Sequence, residues 1–358
     1  MIRRYRLPVI VVACAILAAA GTFPFILTSP ANSPSRGNPH TKGNPPQPAG
    51  PPIYSLRTIV LPAGYIDPVT SLAFSPSGGT LAIAASYLCL WDTTTRDCAP
   101  GPGLTSASSV AFSPDGDILA AGDNNVGEND GKTFLWNIVG KRLQIGSLQD
   151  SASEGVNAVA FSPDGSILAA GDGNGSTYLW NVATEKLIAA LPDSSTRGVY
   201  AVAFSHDGKM LAAGDGNGST YLWNVATRKL IARLPGPPKT GALSVAFSRD
   251  STILAVGYGN GDGTDLWSVG TGRLITTLTD ARGTVVESVA FSPDGEILAV
   301  GDGNGKAYLW NVTTKKLIKA LTDPSGASIN AIAFSPDGGT LACGNANGRA
   351  DVYLWHTS

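Results

Sequence analysis

One stretch of the chain, residues 159–191, contains four short apolar segments separated by turn residues, and much of it recurs elsewhere. Its first turn, Ser-Pro-Asp-Gly at residues 162–165, is typical of a tight reversal between two strands, a and b. Its second turn, Gly-Asp-Gly-Asn-Gly at residues 171–175, joins predicted strands over residues 167–171 and 176–182. A fourth strand is predicted over residues 186–191. The unit is therefore a four-stranded meander, and its strands a and b are apolar on both faces, so it must pack against neighbours.

The same unit returns with a fixed period. A Phe at the end of strand a and a Trp at the end of strand c recur seven times, and successive Trp residues lie 43 to 45 positions apart. The Phe residues are Phe74, Phe112, Phe161, Phe204, Phe247, Phe291 and Phe334. The Trp residues are Trp91, Trp136, Trp180, Trp223, Trp267, Trp310 and Trp355, which are all the Trp residues of the chain. A period of this size predicts a stacked or ring-shaped repeat architecture.

These units, with Leu-Trp-Asp or Leu-Trp-Asn at the end of strand c and the Ser-Pro-Asp-Gly hairpin upstream, resemble the WD40 repeat family over residues 54–358. The resemblance implies an all-β, seven-bladed β-propeller of four-stranded antiparallel blades that acts as a non-catalytic protein-binding scaffold. In style the repeats resemble those of bacterial proteins. The family's Gly-His pair has no counterpart before strand a, its strand b Ser or Thr is Ala170 here, and its turn Asp is Asn174. We therefore expect apolar packing between blades to carry more of the stability.

The two ends of the repeat region predict how the ring closes. The last repeat reaches Trp355 and ends soon after strand c, so it lacks a fourth strand of its own. Residues 55–61, before the first repeat, resemble the other fourth strands. We expect this segment to complete blade seven, which hides an otherwise open sheet edge.

The N-terminal region predicts a membrane connection. Residues 1–28 carry three arginines followed by about 21 mostly apolar residues, enough for a helix of roughly 31 Å that spans a bilayer. A retained single-pass signal anchor places the N-terminus in the cytoplasm and the propeller outside it. Two alternatives are a signal peptide cleaved after Ala20, which gives a secreted protein, and a lipobox ending at Cys14. Residues 29–52, rich in Pro, Gly, Ser and Asn, are the predicted linker, and residues 53–358 the propeller.

Charge and composition argue against several functions. All 27 acidic residues lie beyond residue 52, whereas five of the 25 basic residues precede it, so the propeller carries 20 basic and 27 acidic side chains. This balance does not favour nucleic acid. The three histidines, His40, His206 and His356, lie in different parts of the chain, so no His-based triad or metal cluster is predicted. The sequence predicts no enzyme, no cofactor and no metal site.

The four cysteines differ in location. Cys14 lies in the apolar N-terminal segment, and Cys343 replaces an Ala in strand b of blade seven, so both are interpreted as small buried residues. Cys89 and Cys98 flank the turn between strands c and d of blade one. In an exported domain this pair is a candidate disulfide, whereas another strand register leaves the two thiols free.

The candidate partner surface is the propeller face that carries the b–c and d–a loops. The d–a loops differ in every blade, and the b–c loop of blade two, residues 123–132, is the longest. Such variation is typical of a binding surface, although a tolerated insertion is the alternative. The candidate residues on this face are Asp123, Asn124, Glu128, Asp130, Asp172, Asp215, Tyr258 and Asp302.

Several of these candidates are aspartates at the start of the b–c turns. A partial ring of carboxylates there attracts a basic partner or a cation, whereas in the alternative reading each Asp binds the backbone amides of its own turn. We therefore predict a membrane-tethered, extracytoplasmic scaffold whose partner is a protein. A small-molecule or cation sensor that uses the acidic loops, and a cell-surface spacer, are the alternatives.

Overall fold

A computed structural model describes residues 54–59, 61, 68–101, 107–123, 131–139, 143–149, 153–192, 197–238, 240–279, 283–346 and 351–357. In these ranges 28 strands form seven antiparallel sheets of four strands each, which confirms the predicted seven-bladed propeller. The described residues include no helix long and apolar enough to span a membrane. The predictions for residues 1–52, including the anchor, its cleavage or lipidation at Cys14, and the linker, lie outside the described residues.

Blades one to six follow the chain from strand a to strand d, and blade seven takes its fourth strand from β1. Blade one comprises β2 (Ser71–Phe74), β3 (Thr80–Ala84), β4 (Leu88–Asp92) and β5 (Cys98–Pro100); blade two comprises β6 (Ala107–Phe112), β7 (Ile118–Asp123), β8 (Thr133–Asn137) and β9 (Leu143–Leu148). Blade three comprises β10 (Val156–Phe161), β11 (Ile167–Asp172), β12 (Ser176–Asn181) and β13 (Lys186–Pro192); blade four comprises β14 (Val199–Phe204), β15 (Met210–Asp215), β16 (Ser219–Asn224) and β17 (Leu230–Pro235). Blade five comprises β18 (Ala242–Phe247), β19 (Ile253–Tyr258), β20 (Thr264–Ser268) and β21 (Arg273–Leu278); blade six comprises β22 (Val286–Phe291), β23 (Ile297–Asp302), β24 (Lys306–Asn311) and β25 (Leu317–Thr322). Blade seven comprises β26 (Ile329–Phe334), β27 (Thr340–Asn345), β28 (Val352–Thr357) and β1 (Tyr54–Ile59).

The ring closes as the sequence predicts, because β1 supplies the fourth strand of blade seven. It pairs antiparallel with β28, from Tyr54 opposite Thr357 to Ile59 opposite Val352. The strand begins one residue earlier than predicted and ends two residues earlier, and Leu61 beyond it is buried. Both ends of the propeller therefore belong to one sheet, so that sheet cannot form until the first and last repeats meet.

The residues of each Ser-Pro-Asp-Gly a–b turn form hydrogen bonds with one another, as expected for a tight turn of this sequence. In blade three the N–H of Gly165 donates to the Ser162 carbonyl at 2.8 Å, and the Ser162 hydroxyl donates to an Asp164 carboxylate oxygen at 2.6 Å. Gly165 has a φ of 72°, which a residue with a side chain adopts at a cost. The Ser-Pro-Asp-Gly motif thus closes its turn with hydrogen bonds between its own residues.

The core lies between blades, where strands a and b present Ala, Val, Leu and Phe to their neighbours. The glycine of strand b allows the next blade to approach closely. A Cβ added to Gly171 would lie only 2.7 Å from a methyl carbon of Val199 in that blade. Serine hydroxyls in strand a also join adjacent blades, as where Ser109 accepts the Val159 N–H at 3.1 Å. Equivalent bonds are made by Ser71, Ser244 and Ser288. Apolar packing is therefore supplemented by buried hydrogen bonds that the sequence analysis did not predict.

Blade one has the shortest outer strand, three residues long, and a disulfide joins it to the rest of its sheet. Cys89 in β4 and Cys98 at the start of β5 are bonded, with their Cα atoms 5.7 Å apart. Cys343 is buried in β27, as expected for a small core residue.

Candidate functional site

The alternating strand directions create two different propeller faces. We use "loop face" for the side that carries the b–c and d–a connections, and "turn face" for the side that carries the a–b and c–d turns. The turn face repeats the same short turns from blade to blade. The loop face carries the sequence variety, because each d–a connection joins two blades and is free of the turn motif.

The aspartates predicted on the loop face are buried. Asp123, Asp172, Asp215 and Asp302 are each at most 1% exposed. The Asp172 carboxylate accepts the Asn174 N–H at 2.8 Å within its own b–c turn and the Glu154 N–H at 3.0 Å from the d–a loop. Asp172 therefore fastens the two loops of its blade to each other.

Asp302 joins its two loops in the same way, and Asp215 holds its own b–c turn. One carboxylate oxygen of Asp302 accepts the Asn304 N–H at 3.0 Å and the Lys306 N–H at 2.9 Å, and the other accepts the Thr284 hydroxyl at 2.8 Å. Asp215 accepts two amides of its own turn, those of Asn217 and Ser219. These carboxylates act as turn-stabilising groups and do not present an exposed acidic ring.

Tyr258 occupies the equivalent position in blade five and is also buried. Its ring fills space left open by a glycine, since a Cβ on Gly236 would lie 2.4 Å from a ring carbon. Burial raises the pKa of the Tyr258 hydroxyl, and the neighbouring Asp265 carboxylate raises it further. The remaining candidates, Asn124, Glu128 and Asp130, lie outside the described residues.

The mouth of the central channel on the loop face carries a ring of side chains that the sequence analysis did not single out. Strand a is the innermost strand, and in blades two to seven a bulge near its start leaves one residue out of register. The bulge residues are Ser108, Asn157, Tyr200, Leu243, Glu287 and Asn330. Asn157 donates to the Val199 carbonyl of the next blade at 3.1 Å. Such bonds tie neighbouring blades together around the mouth.

Blades four to six carry Tyr200, Leu243 and Glu287 at this position, where the others carry Ser or Asn. Burial raises the pKa of Glu287 to about 7, so this carboxyl titrates near neutral pH. The pKa of Tyr200 is also raised, chiefly by burial. The signal for Glu287 was present in the sequence, because it is the acidic residue at a repeat position otherwise filled by neutral side chains.

Comparison with known families gives matches to the WD domain, G-beta repeat model at residues 101–137, 143–181, 185–224, 272–311 and 315–355. These segments cover more than half of the chain. The chain belongs to the WD40 family. No curated protein matches the sequence significantly. The WD40 model leaves the sequences of blades one and five largely unmatched, yet both form the same four-stranded sheet as the other blades.

WD40 propellers are typically protein-interaction scaffolds without catalytic activity of their own. In the part of this WD40 propeller that the structure describes, no group of three or more His, Cys, Asp or Glu side chains is arranged to hold a metal ion. The exposed charged groups of its loop face include Glu154, Arg197 and Asp262, which stand on loops of different length and sequence. The loop face therefore presents acidic and basic side chains around a channel mouth at which the blades contribute different residues.

Proposed function

We propose that this WD40 propeller is a non-catalytic scaffold that binds a protein partner on its loop face. The observation that carries the proposal is the contrast between the two faces: seven similar sheets hold fixed turns on one side and dissimilar loops on the other. Buried aspartates such as Asp172 and Asp302 hold the b–c and d–a loops together, so this surface is pre-formed. A pre-formed surface loses less conformational entropy on binding than a flexible one.

Charge reversal on each face tests which side binds. In the first variant, Glu154→Arg and Asp262→Arg change two exposed acids of the loop face. The matched control, Asp117→Arg with Glu296→Arg, makes the same charge change at exposed positions of the turn face. Full-length tagged protein is purified from detergent-solubilised membranes of the producing cell, and captured proteins are compared. Loss of a stoichiometric partner from the loop-face variant alone supports the proposal.

Two other results contradict it. If only the control variant loses the partner, the binding site lies on the turn face. If the parent protein captures nothing above background, the spacer function is favoured. A third variant, in which residues 124–132 are replaced by the Gly-Asn-Gly-Ser of residues 173–176, asks whether the long b–c loop of blade two contributes. Retention of the partner by that variant identifies the loop as a tolerated insertion.

The cation-sensor alternative receives no support from Asp172, Asp215 and Asp302, because each is buried and one oxygen of each already accepts hydrogen bonds from its own b–c turn. We propose further that the propeller is tethered to a membrane, with its N-terminus in the cytoplasm and the propeller outside it. This proposal stands on the arginines and the apolar run of residues 1–28. Protease added to intact cells should degrade the propeller, and alkaline carbonate should leave it in the membrane pellet. Full protection from protease argues against extracytoplasmic placement, whereas release by carbonate argues against the anchor.

A further inference from the structure

The turn face has a cleft at the one junction where the ring closes, between blades seven and one. It has a volume of about 880 Å³, within the range of small-molecule sites. One wall is formed by Arg57, Thr58 and Ile59 of β1 and by His356 of β28, and the other by the c–d turn of blade one with Arg96. The a–b turns of both blades form its remaining boundary. The cleft lies on the opposite side of the propeller from the proposed partner surface.

Comparison with the junction of blades three and four shows what fills this space elsewhere. There, Ile188, Ala189 and Val225 pack against the core cluster that contains Trp223. Ile188 is an extra residue at a bulge in β13.

At the closing junction each of these apolar groups is missing or replaced. Strand β1 pairs with β28 without a bulge, so it has no counterpart of Ile188. Arg57 takes the register position of Ala189, and Thr93 takes that of Val225. Trp91, the counterpart of the buried Trp223, is half-buried. The cleft therefore lies where Arg57, Thr93 and an unbulged strand replace the apolar groups found between blades three and four.

The polar groups that line the cleft leave positive charge uncompensated. Arg57 and Arg96 are exposed, and neither guanidinium forms an ion pair or a hydrogen bond with the described residues. Asp337 is the carboxylate among the lining residues, and it already accepts the Ser335 hydroxyl and the Gly339 N–H within its own turn. Two cations and one carboxylate leave the cleft suited to a bound anion.

His356 also lines the cleft, from the strand β28 that pairs with β1. The Nδ1 atom of His356 is 2.9 Å from the Thr340 hydroxyl, while its Nε2 atom is buried and has no hydrogen-bond partner among the described residues. Burial lowers the pKa of His356, and the positive charges of Arg57 and Arg96 lower it further, against the smaller opposing effect of Asp337. Arg57 and Arg96 line the same cleft as this imidazole, so the two guanidinium groups are the charged donors available to a bound anion.

We propose that this cleft binds a small organic anion, a carboxylate or phosphate carried on an apolar or aromatic body. Arg57 and Arg96 hold the charged group, and the half-buried ring of Trp91 with Leu354 contacts the body. Planar guanidinium groups make paired hydrogen bonds to either type of anion. Because the cleft and the loop face are on opposite sides, such a ligand binds without displacing a protein partner.

The test uses full-length protein in detergent and titration calorimetry with three probes. Phenyl phosphate and benzoate carry the two anionic groups, and benzyl alcohol is the neutral counterpart. The proposal expects at least one anion to bind and the neutral probe to bind far more weakly. Whichever anion binds more tightly identifies the chemical class of the ligand. Absence of binding by both anions, or equal binding of the neutral probe, overturns the proposal.

Matched variants locate the binding to the cleft. Arg57→Gln and Arg96→Gln should each weaken anion binding by about tenfold or more, because each removes a charged hydrogen-bond donor. Arg228→Gln is the control: Arg228 stands at the same position of the c–d turn in blade four, with φ of 58° against 65° for Arg96. Both arginines are exposed, so thermal unfolding should show that all variants fold. Equal weakening by Arg228→Gln and Arg96→Gln would show non-specific attraction and would refute the cleft.

Discussion

Replacing the channel-mouth carboxyl by an amide, Glu287→Gln, should make the propeller less sensitive to rising pH. Burial raises the pKa of Glu287 from 4.5 to about 7. The folded protein therefore holds the proton more tightly than the unfolded chain does. Stability is lost as pH rises from about 4.5, where the unfolded carboxyl ionises, to about 7, where the folded one does.

The size of the effect follows from the shift. Each pKa unit corresponds to about 1.4 kcal/mol, so the ionised carboxylate costs the folded state about 3 kcal/mol above pH 7. The amide of the variant cannot ionise and avoids this penalty. It also resembles Asn157, which donates to a carbonyl of the next blade from the same position of its own strand a. A gain from such a bond does not depend on pH and is separable from the titration.

The assay is urea unfolding of wild type and variant at pH 4.5 and pH 8, and the quantity compared is the difference in unfolding free energy between the two proteins. This difference should grow by about 3 kcal/mol between the two pH values. Glu296→Gln makes the same chemical change at an exposed position of the turn face and serves as the control. If the difference between wild type and Glu287→Gln is the same at both pH values, Glu287 does not titrate in the way its burial requires.

Two further predictions concern stability. Cys89→Ser should destabilise the protein by about 2–3 kcal/mol, because that is the chain-entropy contribution of a disulfide that closes so short a loop. A reductant should lower the melting temperature of wild type but not of Cys89→Ser or Cys98→Ser. Equal sensitivity of all three proteins to the reductant would show that the disulfide does not form. Gly171→Ala should cost about 1–3 kcal/mol, because the new methyl group lies 2.7 Å from a methyl carbon of Val199. Its control, Gly270→Ala, places the methyl group where no atom lies within 4 Å, so a similar loss in both would exclude interblade crowding as the cause.

The two proposed binding surfaces lie on opposite faces of the propeller and have different structural origins. The loop face owes its variety to connections between blades, which the repeat motif does not constrain. The cleft on the turn face instead depends on the closing strand β1. This d strand is not joined by a c–d turn to the strand it pairs with, β28, which lies at the other end of the propeller sequence. Its sequence is therefore free to depart from the Leu-Ile pair that blades three to six share at residues 187–188, 230–231, 274–275 and 317–318.

Several features of this protein were determined by the sequence alone. The period of the Trp residues predicts seven blades, the Ser-Pro-Asp-Gly turns predict the a–b hairpins, and residues 55–61 predict the closing strand. Each depends on short-range chemistry, such as the positive φ of Gly165, or on repetition of one pattern. Information of this kind is readable without knowing which residues meet in space.

The functional surfaces depend instead on contacts between blades. From the sequence, Asp172 was more readily interpreted as a turn-stabilising group than as an exposed ligand, and the d–a loop that bonds to it in the tertiary structure showed that it is buried. Likewise, Arg57 and Arg96 are 39 positions apart in the chain and share a cleft because the ring closes between them. Burial and the sum of nearby charges are properties of the neighbours that the tertiary structure brings together, so they decide the chemistry of Glu287 and of the cleft.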